Sequence, residues 1–127
     1  VDASALLEVL MRTPLGTTVE ARLLSRVQTL HAPHLLDAEV AQVVRRFALA
    51  GEIDGERAEE ALDDFKAFPI RRHPHEFLLS RVLALRDNFS AYDAMYVALA
   101  EVLDAPLLTH DRRLATAARR HARVELV

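Results

Sequence analysis

The sequence predicts an α/β fold, a three-layer α/β/α domain around a central parallel sheet of four to five strands. Two observations carry that expectation. Five short segments of strand character are separated throughout by one or two helical stretches, the alternation expected of a parallel sheet covered on both faces. Apolar types make up 51% of the 127 residues and charged types 28%. That balance fills one core under a solvated surface and argues for a single domain over 1–127.

The elements follow in order. Val1-Asp2 reads as the end of a first strand; the chain opens without Met, so the start of that strand is expected to lie outside the sequence. Ala3 to Arg12 reads as a helix ended near Pro14, and Thr17 to Val27 as a second. Thr29 to Ala32 has strand character and is stopped by Pro33. Leu36 to Ala50 carries apolar residues at 36, 40, 43, 44 and 47, with Gly51 as the helix stop. Gly55 to Lys66 is an acidic helix. Phe68 to Arg72 is a third strand, with Pro69 at its start or on a sheet edge. Helices are expected over Glu76 to Arg86, Ala91 to Leu103 and Arg112 to His121. The last two strands are Leu107 to Thr109, opened by Pro106, and Val124 to Val127.

Composition removes several function classes. There is no cysteine, so disulfide scaffolds, thiolate zinc sites and cysteine nucleophiles are excluded. With 3 glycines, glycine-rich phosphate cradles are excluded as well. No run of eighteen apolar residues is present, so no membrane span is expected, and a reducing cytoplasm fits. Net charge is −3, but the cations are 15 Arg against one Lys, Lys66. Arg suits bidentate pairing to carboxylate or phosphate; a base-composition bias in the gene explains the same count.

In parallel sheets ligands bind beyond the carboxyl ends of the strands. Four acids are expected at that edge. Asp2 follows the first strand and Asp111 the fourth, and each is also a good helix N-cap. Asp93 is the only charge in Ala91–Ala100, where the other nine residues are of the apolar set. A lone carboxylate in so apolar a helix needs a partner; a Ser90/Asp93 capping box is the competing explanation. Glu39 lies early in the third helix, on a stripe with Gln42 and Arg46 that would ordinarily face solvent, and Asp37 competes with it for any role. Taken together, four carboxylates at one edge would repel. One pair at ~5 Å costs about 3 kcal/mol at an effective dielectric of ~20. A divalent cation relieves this, and all-oxygen ligation selects Mg²⁺ or Mn²⁺ over zinc.

These stretches resemble the PIN-domain ribonucleases, most closely the VapC-type toxins of toxin–antitoxin pairs. The matching segments are Val1–Leu6, Pro33–Val40, Ser90–Ala100 and Leu107–Leu114. The resemblance implies a PIN-like domain in which an acidic quartet holds Mg²⁺ or Mn²⁺ and cleaves RNA. By position the quartet falls on Asp2, Glu39, Asp93 and Asp111, which settles Glu39 over Asp37. Thr109 matches a hydroxyl position near the metal. A homodimer is implied, as is a cognate VapB-like antitoxin that covers the site and itself carries the DNA-binding element.

An RNA strand approaching an acidic pocket calls for basic groups at its rim. Arg112 and Arg113, after Asp111, are the first candidates; Arg71 and Arg72, at the end of the third strand, are the second. Other residues promise less. His73-Pro74-His75 lacks a third ligand at suitable spacing, and His110 reads as an exposed loop residue. Lys66 sits among Asp63, Asp64 and Glu59 and is expected to form an ion pair. Tyr92 and Tyr96 are expected to pack in the core. Two alternatives remain at this level. A phosphoryl-accepting regulatory domain would want paired early acids and a late lysine, which are missing. A non-catalytic interaction module would use the acids only as caps.

Overall fold

The computed structural model describes residues 1–25 and 29–127. Helix α1 (Ala3–Leu10) starts at Asp2, whose carboxylate accepts from the Ala5 N–H at 3.2 Å. Helix α2 (Gly16–Leu23) follows a turn through Arg12, at φ 52°. The expected span of α2 reached Val27; 26–28 lie outside the described residues. Strand β1 (Leu30–Pro33) leads into α3 (Leu35–Leu49). Gly51, at φ 73°, follows as the predicted stop. Helix α4 (Gly55–Ala67) is capped by Asp54, and strand β2 (Ile70–His73) begins directly after Pro69.

The stretch predicted as one helix over Glu76 to Arg86 is a 3₁₀ turn, Glu76–Leu78, running into a short α5 (Leu79–Ala84). Helix α6 (Ala91–Leu103) matches its predicted bounds and is capped by Ser90. Strand β3 (Leu107–Thr109), helix α7 (Arg112–Ala118) and strand β4 (Val124–Leu126) complete the chain. Pro33 does not stop β1 but is its last residue, in register with His73. A strand end is where a residue with no N–H is tolerated.

Among the described residues the strands form two parallel pairs. Leu30 is in register with Ile70 in β1–β2, and Leu107 with Val124 in β3–β4. The first two residues join them. The Val1 nitrogen donates to the His31 carbonyl at 2.8 Å, and the Asp2 N–H to the Leu108 carbonyl at 3.1 Å. The spatial order is therefore β2, β1, Val1-Asp2, β3, β4. Helices α1 to α4 pack on one another and α5 packs on α6, while α3 and α6 both reach β1, and α1 and α6 both reach β3. The strands thus lie between two helical groups, as predicted. Leu6, Leu10, Leu23, Leu36, Val40 and Val97 are fully buried in the core between them. Its apolar contacts are the main favourable term in folding.

Two glycines differ in what they allow. A Cβ on Gly16 would stand 2.7 Å from the Glu8 carbonyl oxygen, so α2 approaches α1 too closely for a side chain there. A Cβ on Gly55 would meet nothing within 4 Å. Gly16→Ala is expected to destabilise the fold by about 1–3 kcal/mol through overpacking. Gly55→Ala, in the first turn of α4, should be neutral or stabilising by up to about 1 kcal/mol. Thermal melts of the two variants check this; at this chain length 1 kcal/mol is a shift of about 4 °C.

Candidate active site

Asp2 is 5% exposed, yet its carboxylate is fully engaged. Oδ1 accepts from Ser4 Oγ at 2.8 Å and from the Ala5 N–H; Oδ2 accepts from Thr109 Oγ1 at 2.6 Å. Each hydroxyl has one proton and gives it to Asp2, so their mutual approach of 3.1 Å shares none. Their lone pairs face the next acid. The Asp111 N–H donates to Thr109 Oγ1 at 2.9 Å and to Ser4 Oγ at 3.1 Å, and the His110 N–H donates to Ser4 Oγ at 2.8 Å. Ser4 and Thr109 thus clamp the start of α1 to the β3–α7 turn. The Asp111 carboxylate caps α7 through the Arg113 and Leu114 N–H groups. Capping and membership of the cluster are compatible, because a cap uses one oxygen.

The other two acids come from opposite helical groups. Glu39, half-buried on α3, accepts from the buried Tyr96 hydroxyl of α6. Asp93, half-buried on α6, has its N–H on Ser90 Oγ at 3.1 Å. The capping explanation is therefore correct for the start of α6; Ser90 also hydrogen-bonds the Asp93 side chain, and the charges that act on it are those of Asp111, Asp2 and Arg113. Burial first, then the charges of Asp111 and Asp2, push Asp93 above its ordinary value. Glu39 is raised by burial first and then by Asp2 and Asp93, against the Tyr96 hydrogen bond. Asp2 is raised by burial in spite of its three donors. Tyr96 is pushed far up by burial and by Glu39, so it remains a hydrogen-bond donor.

Glu39 and Asp37 are separated by the structure. Asp37 is exposed and accepts from Arg72 Nε at 2.7 Å, while Glu39 turns inward to the other acids. Arg72 is held by that pair and by the Phe65 ring, 4.9 Å below its guanidinium. It is not a free rim group. Arg71, Arg112 and Arg113 are exposed, and Arg113 offsets part of the Asp93 charge. Lys66 pairs with Asp63 at 2.8 Å as expected. His110 is half-buried against the Val127 carbonyl, a departure from the expected exposed loop position. His73 meets His31, ring nitrogen to ring nitrogen, at 2.8 Å.

Two site residues were not singled out from the sequence. Ser4 lies two residues after Asp2, where a first-turn hydroxyl can reach back to a cap. Tyr96 lies one helical turn after Asp93 and was expected only to fill the core. Its partner Tyr92 is 62% exposed, contrary to expectation, because α6 shows its first turn to solvent.

The donor set fits a hard divalent cation: four carboxylates plus two hydroxyls, all oxygen, with three of the acids raised. Among the described residues no three His, Asp or Glu side chains stand close enough to share one ion as placed. The carboxylates of Asp2, Glu39 and Asp111 are turned to internal donors instead: Ser4, Thr109 and the Ala5 N–H for Asp2, Tyr96 for Glu39, and the α7 N–H groups for the exposed Asp111.

Comparisons with known proteins bear on the family and the fold. The PIN domain family model matches residues 1–120. The chain is 43% identical to Ribonuclease VapC1 of Mycobacterium tuberculosis over 128 residues, covering 100% of this chain and 96% of that protein. It is 40% identical to Ribonuclease VapC9 of the same organism, covering 91% and 87%. It is 38% identical to Ribonuclease VapC12, covering 99% and 96%. In fold it is similar to the crystal structure of PAE2754 from Pyrobaculum aerophilum, with TM-score 0.69 at 24% identity over 97% of this chain and 85% of that one.

Raised carboxylates carry a definite pH signature. A folded-state acid above its ordinary value binds protons more readily than the unfolded chain does. Stability therefore falls as pH rises from the ordinary value, 3.8 for Asp93, through the raised one, and levels off above it. In chelator, Asp93→Asn should melt higher than wild type at neutral pH, and that advantage should vanish below the ordinary value. Melting curves from pH 3 to 8 test this; an advantage independent of pH would sink it. Thr109→Val, which leaves Asp2 without one donor, should cost about 1–3 kcal/mol by the same assay.

Proposed function

The chain belongs to the PIN-domain family, and from that premise we propose that it is a divalent-metal-dependent endoribonuclease. It would act as the toxin of a type II toxin–antitoxin pair. The observation that carries this reading is the joining of Asp2 to the Asp111 turn by Ser4 and Thr109, with the Asp2 charge felt at Glu39 and Asp93 and the Asp111 charge felt at Asp93. PIN-domain ribonucleases depend on a divalent metal, and the all-oxygen donors favour Mg²⁺ or Mn²⁺.

Asp2, Asp93 and Asp111 would anchor the ion, with Glu39 completing the set directly or through water. The bound ion supplies an activated water and charge stabilisation at the phosphoryl group. The chain's own residues do the rest. Ser4 and Thr109 hold the Asp2 carboxylate in one orientation, so a metal anchor there would be preorganised. Tyr96 holds Glu39 where it can orient a water. Arg112 and Arg113 lie next to Asp111 and would receive the approaching backbone; Arg71 is a more distant candidate.

The phosphoryl-accepting alternative loses ground, because the one lysine is engaged by Asp63 on α4. The interaction-module alternative accounts for the caps but not for the raised Glu39 and Asp93. The family reading also implies a homodimer and a VapB-like antitoxin covering the acidic pocket, with DNA contacted only through the antitoxin. Cytoplasmic action follows from the same reading; no described helix is long and apolar enough to cross a membrane.

Total RNA incubated with the protein and Mn²⁺ should acquire new ends that are lost with chelator. Asp93→Asn should keep the fold and lower cleavage by about 100-fold or more, the loss of roughly 3 kcal/mol of transition-state stabilisation. Cleavage by Asp93→Asn at the wild-type rate would refute the assignment. The metal itself is read by melting: a cation at 100 times its Kd adds about 2.7 kcal/mol. A shift with Mn²⁺ in wild type and none in Asp93→Asn is the expected pair of results.

A further inference from the structure

Helix α6 carries Tyr92, Tyr96, Leu99 and Leu103 at spacings of four, three and four residues, so they share one face. Tyr96, Leu99 and Leu103 line a cavity of about 430 Å³ against His31 of β1 and Leu107 of β3. The stripe therefore faces the sheet. It continues past the strand ends: Tyr96 is 4% exposed, whereas Tyr92, one turn nearer the helix start, is 62% exposed.

We propose that the Tyr92 ring is the platform on which a base of the single-stranded RNA stacks at the mouth of the carboxylate pocket. The proposal rests on the endoribonuclease reading and adds to it how a base, rather than the backbone, is held.

Three observations carry it. The first is placement. Three residues, 104–106, join α6 to β3. The last turn of α6 thus lies at the amino end of the strands and its first turn at the carboxyl end, with the acids. Tyr96 gives its hydroxyl proton to Glu39. Tyr92 stands on the same face, about 5.4 Å farther toward the carboxyl end, and helical side chains lean toward the helix start. Its ring extends past the strand ends on the side of Glu39, and its neighbour in sequence is Asp93.

The second observation is that the fold makes no use of the ring. Of five Phe and two Tyr, only Phe77 and Tyr92 are exposed. Among the described residues the Tyr92 hydroxyl makes no hydrogen bond, and tyrosine is a middling helix former. A lone apolar residue on a surface is ordinary. One that carries a buried stripe out to the lip of an acidic site is not explained by packing. The third is complementarity. Arg113 acts on Asp93 from α7, so cations meet the acids from the Asp111 side and the ring meets them from the Glu39 side. A nucleotide has the same two parts, a charged phosphate and a flat base, and holding both fixes the phosphodiester between them. Every base has a π face, so such a ring tolerates any sequence. One ring is far smaller than the roughly 800 Å² that a protein partner covers on each side, but it matches one base.

The test is binding, read without cleavage. Twelve-unit oligoadenylate and an abasic ribose-phosphate strand of the same length are each titrated with wild-type protein in chelator. Oligoadenylate should bind about tenfold more tightly, the effect of one stacked base. Tyr92→Leu should remove that advantage. It should leave the affinity for the abasic strand and the salt slope unchanged, because no charge is lost. Tyr92→Phe should keep the advantage. Tyr92→Trp gives the chain its one tryptophan, whose emission should be quenched by oligoadenylate and not by the abasic strand. Equal affinity of wild type for the two strands overturns the proposal. So does an advantage that survives in Tyr92→Leu, or an equal loss on both strands. A change in sedimentation of Tyr92→Leu with the base advantage intact would make the ring a protein contact instead. Because no metal takes part, failure here is separable from failure of the nuclease reading. A chain that cuts RNA with Mn²⁺ yet binds both strands alike loses the stacking ring alone. One that tells the strands apart through Tyr92 but never cuts RNA loses the enzyme alone.

Discussion

The Asp2 carboxylate is the junction on which the rest of the molecule depends. Its backbone and that of Val1 join β1 to β3, so the two strand pairs meet at this residue. A buried carboxylate is costly unless donors surround it, and the donors come from two places: the first turn of α1, through Ser4 and the Ala5 N–H, and the end of β3 at Thr109. Satisfying one acid therefore aligns α1, β3 and the start of α7. The centre of the sheet and the anchoring of the Asp2 carboxylate are one construction, and a change at Ser4 or Thr109 acts on both.

Beyond Asp2 the molecule keeps charge that folding alone would not favour. Glu39 and Asp93 are both raised chiefly by burial, Glu39 then by Asp2 and Asp93, and Asp93 by Asp111 and Asp2. Replacing such acids with neutral residues is the sort of change expected to stabilise a fold while removing its activity. Local conflict with the rules of stability, in a site whose other interactions are well satisfied, is where function is expected to sit. Tyr96 sharpens the point. It is a buried aromatic whose hydroxyl is spent on an acid rather than on a backbone carbonyl, so the core of α6 and the orientation of Glu39 are coupled.

Much of this was legible in the residues. The α6 bounds, the Gly51 stop and the strands at Leu107 and Val124 followed from period and punctuation, because each is set by nearby residues. Asp2 and Asp111 were legible as strand-end positions and Glu39 and Asp93 as early-helix acids expected at the same edge; the preference for Glu39 over Asp37 came from family resemblance, and the structure pairs Asp37 with Arg72. What was missed depends on contacts between distant segments. Pro33 joins β1 because β2 runs beside it. Glu76 to Leu78 tightens into a 3₁₀ turn ahead of α5. Tyr92 and Tyr96 look alike in sequence, yet only one faces inward. Ser4 carries no signal by itself, since a hydroxyl in a first helical turn is ordinary; its importance appears only when Thr109 and the Asp111 N–H arrive from the other end of the chain.

The arginine excess takes on meaning through the same division. Fifteen Arg against one Lys is open to a compositional explanation, and for the residues in surface ion pairs that explanation is sufficient, since exposed pairs contribute little. It does not distribute the remaining cations. With a net charge of −3 and an acidic pocket, the protein as a whole repels a polyanion. At physiological salt, however, charges farther away than about 8 Å are largely screened. What an RNA strand meets at close range is the local pattern: Arg112 and Arg113 directly after Asp111, with Arg113 offsetting part of the Asp93 charge. A nuclease of this kind needs no basic protein behind it, only cations within a screening length of the carboxylates, and the first turn of α7 supplies two, Arg112 and Arg113.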